Sequence, residues 1–249
     1  MTGRITAIMM LACAGCIAVA QSAVAERIEA GTRAIFRVGD EVRWSAGLHG
    51  GFDRREFDAA AGRRRYDLRR LRMRLGLDAL QVADLWAEAG AVDVRLDEQG
   101  GRDLGNEWAL GTDLHVFESV IVSSPVVGRV EWIGVSLTGS YRRSNIGLDG
   151  NATLDWREQR GGAVVRYGRQ ERGPEDLMRA AAVTGQVIRA GLIATRVRGE
   201  HGGMRITDSN NTGLLLGADL LWRSGWVARI ETLLMGTENE VQLAVSRFF

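Results

Sequence analysis

The chain has 249 residues, 45% of them hydrophobic and 25% charged, with a formal net charge of +1. Charge so nearly balanced argues against a nucleic-acid binder, and every basic residue is arginine. The two cysteines, Cys13 and Cys16, both lie near the N-terminus, so the rest of the chain has no disulfide, thiolate metal site or thiol nucleophile.

The first elements read as an export signal. Arg4 precedes an apolar run from Ile8 to Ala20, and Ala23-Val24-Ala25 follows as a small-x-small site. This three-part layout predicts a removable signal peptide over 1–25, with Ala23 and Ala25 at the cleavage site, and one domain over 26–249. A retained anchor or acylation of Cys16 are the alternatives. The run is short for a membrane span, and Cys13-Ala14-Gly15 lacks the Leu, Val or Ile usual three before an acylated cysteine.

From about residue 40 the hydropathy alternates with period 2, the sign of strands with one apolar and one polar face. Val42, Trp44, Ala46, Leu48 and Phe52 share a face, opposite Ser45, Gly47, His49 and Gly51. Leu71, Met73, Leu75 and Leu77 alternate with Arg70, Arg72, Arg74 and Gly76. The same pattern recurs at Ile133–Tyr141, Ile188–Ala194, Leu214–Trp222 and Trp226–Leu234. It places strands near 41–53, 66–78, 83–96, 107–121, 127–142, 152–168, 185–198, 211–223, 225–235 and 240–249. That makes ten; splitting 152–168 into a hairpin and adding a strand at 30–37 would make twelve. Leu77–Asp84 and Arg223–Gly225 read as tight turns. Asp58–Arg65, Asp97–Glu107 and Glu171–Val183 read as longer loops, the last with a short helix over 174–182.

Several segments exceed ten residues, the length a tilted transmembrane strand needs (about 9–11). In hydrocarbon each unpaired backbone N–H or C=O costs several kcal/mol, so such a sheet must close. The fold class expected is all-β: a transmembrane antiparallel up-and-down barrel of about ten strands. Seven tryptophans spread along the chain, Trp44, Trp86, Trp108, Trp132, Trp156, Trp222 and Trp226, suggest an interfacial girdle, although aromatics total only 6%.

At the end of the chain Val241, Leu243, Val245 and Phe249 share one strand face, opposite Glu240, Gln242, Ala244 and Ser246. This resembles the C-terminal strand of Gram-negative outer-membrane β-barrel proteins, which ends in an aromatic residue. Arg247 departs from that pattern, standing where members often carry an apolar residue. The resemblance implies an outer-membrane location, lipid contact and reading of Val241, Leu243, Val245 and Phe249 by the barrel-assembly machinery.

Arg70, Arg72 and Arg74 fall on one strand face, about 7 Å apart per step, and Arg189 and Arg229 occupy polar-face positions on later strands. An open lumen carrying this ladder would favour small anionic solutes. Alternatively the arginines pair with Glu88, Asp93, Glu118, Asp219 and Glu231 and plug the barrel. Three scattered histidines, His49, His115 and His201, lack metal-ligand spacing, and no cofactor is expected. His115 and Ser119 share a face by parity, with Glu118 adjacent; a rim catalytic group would need such a set. The expected function is a porin-like passive channel or structural barrel and not an enzyme. The alternatives are a soluble periplasmic barrel binding a small ligand, and a surface barrel enzyme or adhesin.

Overall fold

The computed structural model describes residues 43–59, 62–79, 82–96, 103–124, 129–148, 153–171, 183–208, 212–222, 224–236 and 238–249. The signal peptide with Ala23 and Ala25, the additional strand at 30–37 and the helix over 174–182 lie outside these residues. The described residues form eleven antiparallel strands: β1 (Arg43–Ala59), β2 (Gly62–Ala79), β3 (Ala83–Leu96), β4 (Asp103–Ser124), β5 (Arg129–Gly147), β6 (Thr153–Glu171), β7 (Val183–His201), β8 (Met204–Asp208), β9 (Thr212–Trp222), β10 (Trp226–Met235) and β11 (Glu238–Phe248). Ten run up and down in chain order, β1 through β7 then β9, β10 and β11, and β11 pairs back onto β1 from Ser45↔Phe248 to Arg54↔Asn239. This pairing closes the barrel, which removes the two free edge strands an open sheet would have.

The ten expected strands are all present, and β6 is one unbroken strand of 19 residues, not a hairpin. The segment Asp58–Arg65, expected to be a longer loop, is strand up to Ala59 and again from Gly62. β1 and β2 stay paired to Ala59↔Gly62, and Gly62 takes a φ of 109°, a left-handed value that glycine adopts without steric cost.

Side-chain polarity inverts along the barrel. In the half where β1 begins and β11 finishes, large apolar groups point outward: Trp44, Leu48 and Phe52 on β1, Leu71, Met73 and Leu75 on β2, Ile188 and Leu192 on β7, Leu243 and Val245 on β11. The inward positions there hold His49, Asp53, Arg70, Arg72, Glu88 and Glu107, all buried. In the other half, here the distal end, Phe57, Tyr66, Leu68, Val94, Ile146, Leu154, Trp156, Val197 and Ile206 form one buried apolar cluster inside. The outward positions on the same strands there are Arg54, Asp67, Arg143, Asp155, Arg157, Arg196 and Arg198.

Strand β8 explains how the distal end holds an apolar core. Gly202 and Gly203, with φ of 56° and 82°, make the two-residue turn that a tight hairpin favours. It returns β8 along β7 from His201↔Met204 to Arg198↔Thr207, and β8 also pairs with β1 from Phe57↔Asp208 to Ala59↔Ile206. Strands β9 to β11 stop short of this level: Thr212 lies opposite Ala194 and Asn239 opposite Arg54. The distal rim therefore closes through eight strands where the wall below has ten. An eight-stranded barrel is just narrow enough for side chains to fill.

The tryptophans divide. Trp44, Trp108 and Trp226 are exposed on the outer wall, whereas Trp132 and Trp156 are buried inside. Trp86 also points inward, with the Arg74 guanidinium 4.4 Å above its ring, and half-buried Trp222 lines the inner cavity. A Cβ at Gly111 would collide with the Trp86 ring, and one at Gly168 with the Trp132 ring; these glycines let an indole lie flat on the inner wall. The expected girdle of seven is thus an outer set of three, because the interior of a narrow barrel also needs large side chains to fill it.

Candidate functional site in the barrel interior

The midsection of the lumen is filled by a network of charges. Arg55 on β1 places Nε 2.9 Å from Asp53, Nη2 2.6 Å from Glu158 on β6 and Nη1 3.5 Å from Glu238 on β11. Arg70 reaches Asp53 at 2.7 Å and Glu107 at 3.0 Å. Arg142 on β5 lies 3.1 Å from Glu158 and 3.6 Å from Glu240 on β11, and Arg160 pairs with both of those carboxylates. The Ser144 hydroxyl donates to Glu107 at 2.6 Å.

Two of these contacts decide the shape of the lumen. In a ring of ten strands, β1 and β6 are diametrically opposite, and so are β5 and β11. The pairs Arg55–Glu158 and Arg142–Glu240 therefore cross the barrel from wall to wall. Buried charges are costly unless each is paired and hydrogen-bonded, and the arginine fork meets this need by engaging two or three carboxylates at once.

The five arginines expected to form a luminal ladder all point inward, but each faces a carboxylate. Arg70 belongs to the network. Arg72 contacts Glu88 at 2.8 Å, and Arg74 reaches the same carboxylate at 3.5 Å. Arg189 and Arg229 share Asp219, at 2.9 and 3.0 Å, and Arg189 also lies 3.3 Å from Glu231. Of the carboxylates named from sequence, Glu88, Asp219 and Glu231 are partners, and Glu118 lies 4.0 Å from Arg166. Asp93 is a correction: it sits opposite Arg69 on the outer wall, one residue out of phase with buried Val92 and Val94. Sequence reasoning missed Asp53, Arg55, Arg142, Glu158, Arg160, Glu238 and Glu240. All stand at inward parity on their strands, which is the signal that could have found them.

Below the network a cavity of about 680 Å³ extends toward the end where β1 begins and β11 finishes, with Ser45 and Phe248 in its lining. His49, Arg74, His115, Arg189, Asp219 and Arg229 are among its lining residues. Here His115 and Ser119 part company. The β4–β5 register slips between His115 and Phe117; this bulge reverses the parity, so that Glu118 lines the cavity and Ser119 does not. Instead Nδ1 of His115 shares a 3.0 Å hydrogen bond with the Ser136 hydroxyl, and Nε2 lies 3.1 Å from Asp84. Ser136 is on a middle strand, paired with His115 on one side and Val164 on the other. Acyl transfer also requires N–H donors aimed at a developing oxyanion, and backbone groups in a ladder are committed to strand pairing. Among the described residues, no three His, Cys, Asp or Glu side chains are grouped to hold a metal ion.

At the C-terminus, Leu243 and Val245 are exposed on the outer wall, in phase with Val241. Phe249 donates its N–H to the Trp44 carbonyl at 2.9 Å, which ties the last residue to the first strand. Arg247, the residue that departs from the terminal-strand pattern, lies on the same outer face, with its guanidinium 5.9 Å from the Trp226 ring centroid and 5.4 Å from that of Phe249.

No family model and no curated protein matches the chain. Solved structures are similar over most of its length. The translocator domain of the autotransporter NalP from Neisseria meningitidis is 14% identical, with 95% of this chain and 96% of that chain covered and a TM-score of 0.41. The transport unit of the autotransporter AIDA-I from Escherichia coli is 9% identical, with 87% and 92% covered and a TM-score of 0.44. An outer membrane channel from Pseudomonas putida F1 is 9% identical, with 88% and 100% covered and a TM-score of 0.36.

Proposed function

We propose that this chain is an outer-membrane β-barrel of the structural kind, exported by its N-terminal signal, whose lumen is closed to through-passage. The observation that carries the closure is the pair of wall-to-wall contacts, Arg55–Glu158 and Arg142–Glu240, beneath an apolar distal core. The observation that carries the membrane is the outward apolar band. On β1 it runs from Trp44 to Phe52, a length within the about 9–11 residues that a tilted membrane strand needs.

Phe249 and the outward residues Val241, Leu243 and Val245 are the terminal signal for the assembly machinery, which puts the end holding them on the periplasmic side. The eight-stranded distal part then stands at and beyond the outer leaflet. In the porin-like alternative, anions would pass along Arg70, Arg72, Arg74, Arg189 and Arg229. The carboxylates facing each of them oppose that reading, so the cavity is a blind pocket reached from the periplasm. His115, Ser136 and Asp84 serve as lining, without a catalytic role. A soluble ligand-binding barrel calls for a polar exterior throughout, and only the distal part has one.

The test is gel mobility in detergent, using outer-membrane fractions of cells that express the chain. A compact band in the unheated sample that shifts after boiling is expected. Release with the soluble periplasm, with no shift on boiling, would overturn the membrane reading.

A further inference from the structure

On the outer wall just above the apolar band, three arginines stand side by side. The registers Arg143↔Arg157 and Arg157↔Arg198 put them at the same level of β5, β6 and β7. Adjacent strands are about 4.8 Å apart, so the row spans only ~10 Å. Arg196, one step nearer the membrane on β7, lies opposite Gln159. Like charges directly opposite each other destabilise a sheet, so the arrangement needs a counter-charge. Asp155 supplies one to Arg143 at 2.8 Å. Arg157, Arg196 and Arg198 are exposed and have no ion pair among the described residues.

The opposite flank is built differently. There Arg54, Asp67 and Arg95 alternate in sign across β1, β2 and β3, and Arg69 faces Asp93. Arg54 is 3.1 Å from Asp67. The same boundary thus alternates in sign across one flank, whereas on the other the arginines stand side by side, with Asp155 and Glu200 facing each other one step further from the membrane. Below the cationic row the surface turns apolar. Trp108, which lies opposite Arg143, packs its ring 5.4 Å from that of Tyr141, and Leu137, Val165 and Leu192 continue the outer face toward the midplane.

Resting on the membrane reading above, we propose that Arg143, Arg157, Arg196 and Arg198 form a binding site for the phosphorylated headgroup of an outer-leaflet lipid. Its acyl chains would lie on the apolar wall beneath. Arginine suits this task, because its planar fork binds phosphate oxygens in pairs and keeps its charge where water is scarce. The pairing of an anionic head with chains below fits the cationic row above an apolar stripe; a soluble anion would use only the first of the two.

The experiment uses the full chain extracted from outer membranes in a zwitterionic detergent and titrated with fluorescent diphosphoryl lipid A. Monophosphoryl lipid A, phosphatidylcholine and inorganic phosphate serve as comparison probes. Wild type should prefer the diphosphoryl lipid, and less so as salt rises. The double variant Arg157→Gln/Arg198→Gln should weaken binding about tenfold or more, since each arginine near a charged membrane surface contributes on the order of 1 kcal/mol. Arg54→Gln/Arg69→Gln, on the flank of alternating sign, should leave it unchanged. Equal affinity in both doubles, or displacement of the lipid by millimolar inorganic phosphate, would overturn the site. The gel shift on heating is read on every sample. If wild type lacks the shift, the membrane reading falls; if the shift is present and the affinities are equal, only the lipid site falls.

Discussion

Replacing Arg55 with alanine is expected to cost the barrel about 3–5 kcal/mol, the range found when one partner of a buried ion pair is removed. Arg55 is only 2% exposed, and Asp53, Glu158, Glu238 and Glu240 all lie within 3.5 Å of its guanidinium. Without it, four carboxylates face one another with too few cations in a place water does not reach. The contrast is Arg54→Ala, one residue away on the outer wall. Its pair with Asp67 joins side chains that are 49% and 43% exposed, and such pairs contribute roughly 0–1 kcal/mol. Removing charge in balance should be milder: Arg55→Met/Glu158→Gln is expected to recover much of the loss, because it leaves no excess buried charge. Urea unfolding in lipid vesicles, followed by tryptophan fluorescence, measures all three. Equal midpoints for Arg55→Ala and Arg54→Ala would show that the network does not hold the wall together.

Leu48→Arg is expected to destabilise the barrel by about 2–4 kcal/mol, the cost of a cation on the lipid face at the bilayer midplane. Leu48 is 56% exposed, midway between Trp44 and Phe52 on the outer face of β1. In a water-soluble protein, an exposed leucine changed to arginine would alter stability by no more than about 0.5 kcal/mol. The sign and size of this one effect therefore distinguish the solvents. Asn145→Arg, outward on β5 above the band, should cost only about 0–1 kcal/mol, as near an interface. The same unfolding measurement reads both. A small effect at Leu48 matching that at Asn145 would mean that water, not lipid, covers this face.

The strands were legible because period-2 alternation is a local property: a glance at Leu71 to Leu77 suffices to give the faces of β2. Their ends were not, and the reason is the inversion of polarity. On β1 the pattern runs from outward Leu48 and Phe52 to outward Arg54 and Asp58, with Phe57 now inside. A reader who expects apolar residues to stay on one face sees the alternation fail near 53 and stops the strand there, whereas β1 continues to Ala59. The same reversal hides the extension of β2 back to Gly62 and of β7 on to His201.

The candidate site was legible only in part for related reasons. That Arg70, Arg72 and Arg74 face inward follows from parity on a single strand. That Arg55 meets Glu158 depends on strands 103 residues apart, brought opposite each other by a closure that sequence does not display. Ser119 was misplaced because a one-residue bulge after His115 reverses the parity of the residues that follow it, up to a second register shift between Val120 and Val122, and no residue type marks it. Strand β8 was overlooked because five residues are too few to show a period, although Gly202-Gly203 does mark its turn.

Single-channel recording in planar bilayers tests the central claim most directly, using a preparation whose heat-dependent gel shift shows that the barrel is folded. With Arg55–Glu158 and Arg142–Glu240 spanning the lumen below an apolar core, the wild-type chain is expected to insert without sustained conductance steps. Stable, reproducible open steps in wild type would contradict it, and would return the arginines to the role of lining an open path for anions.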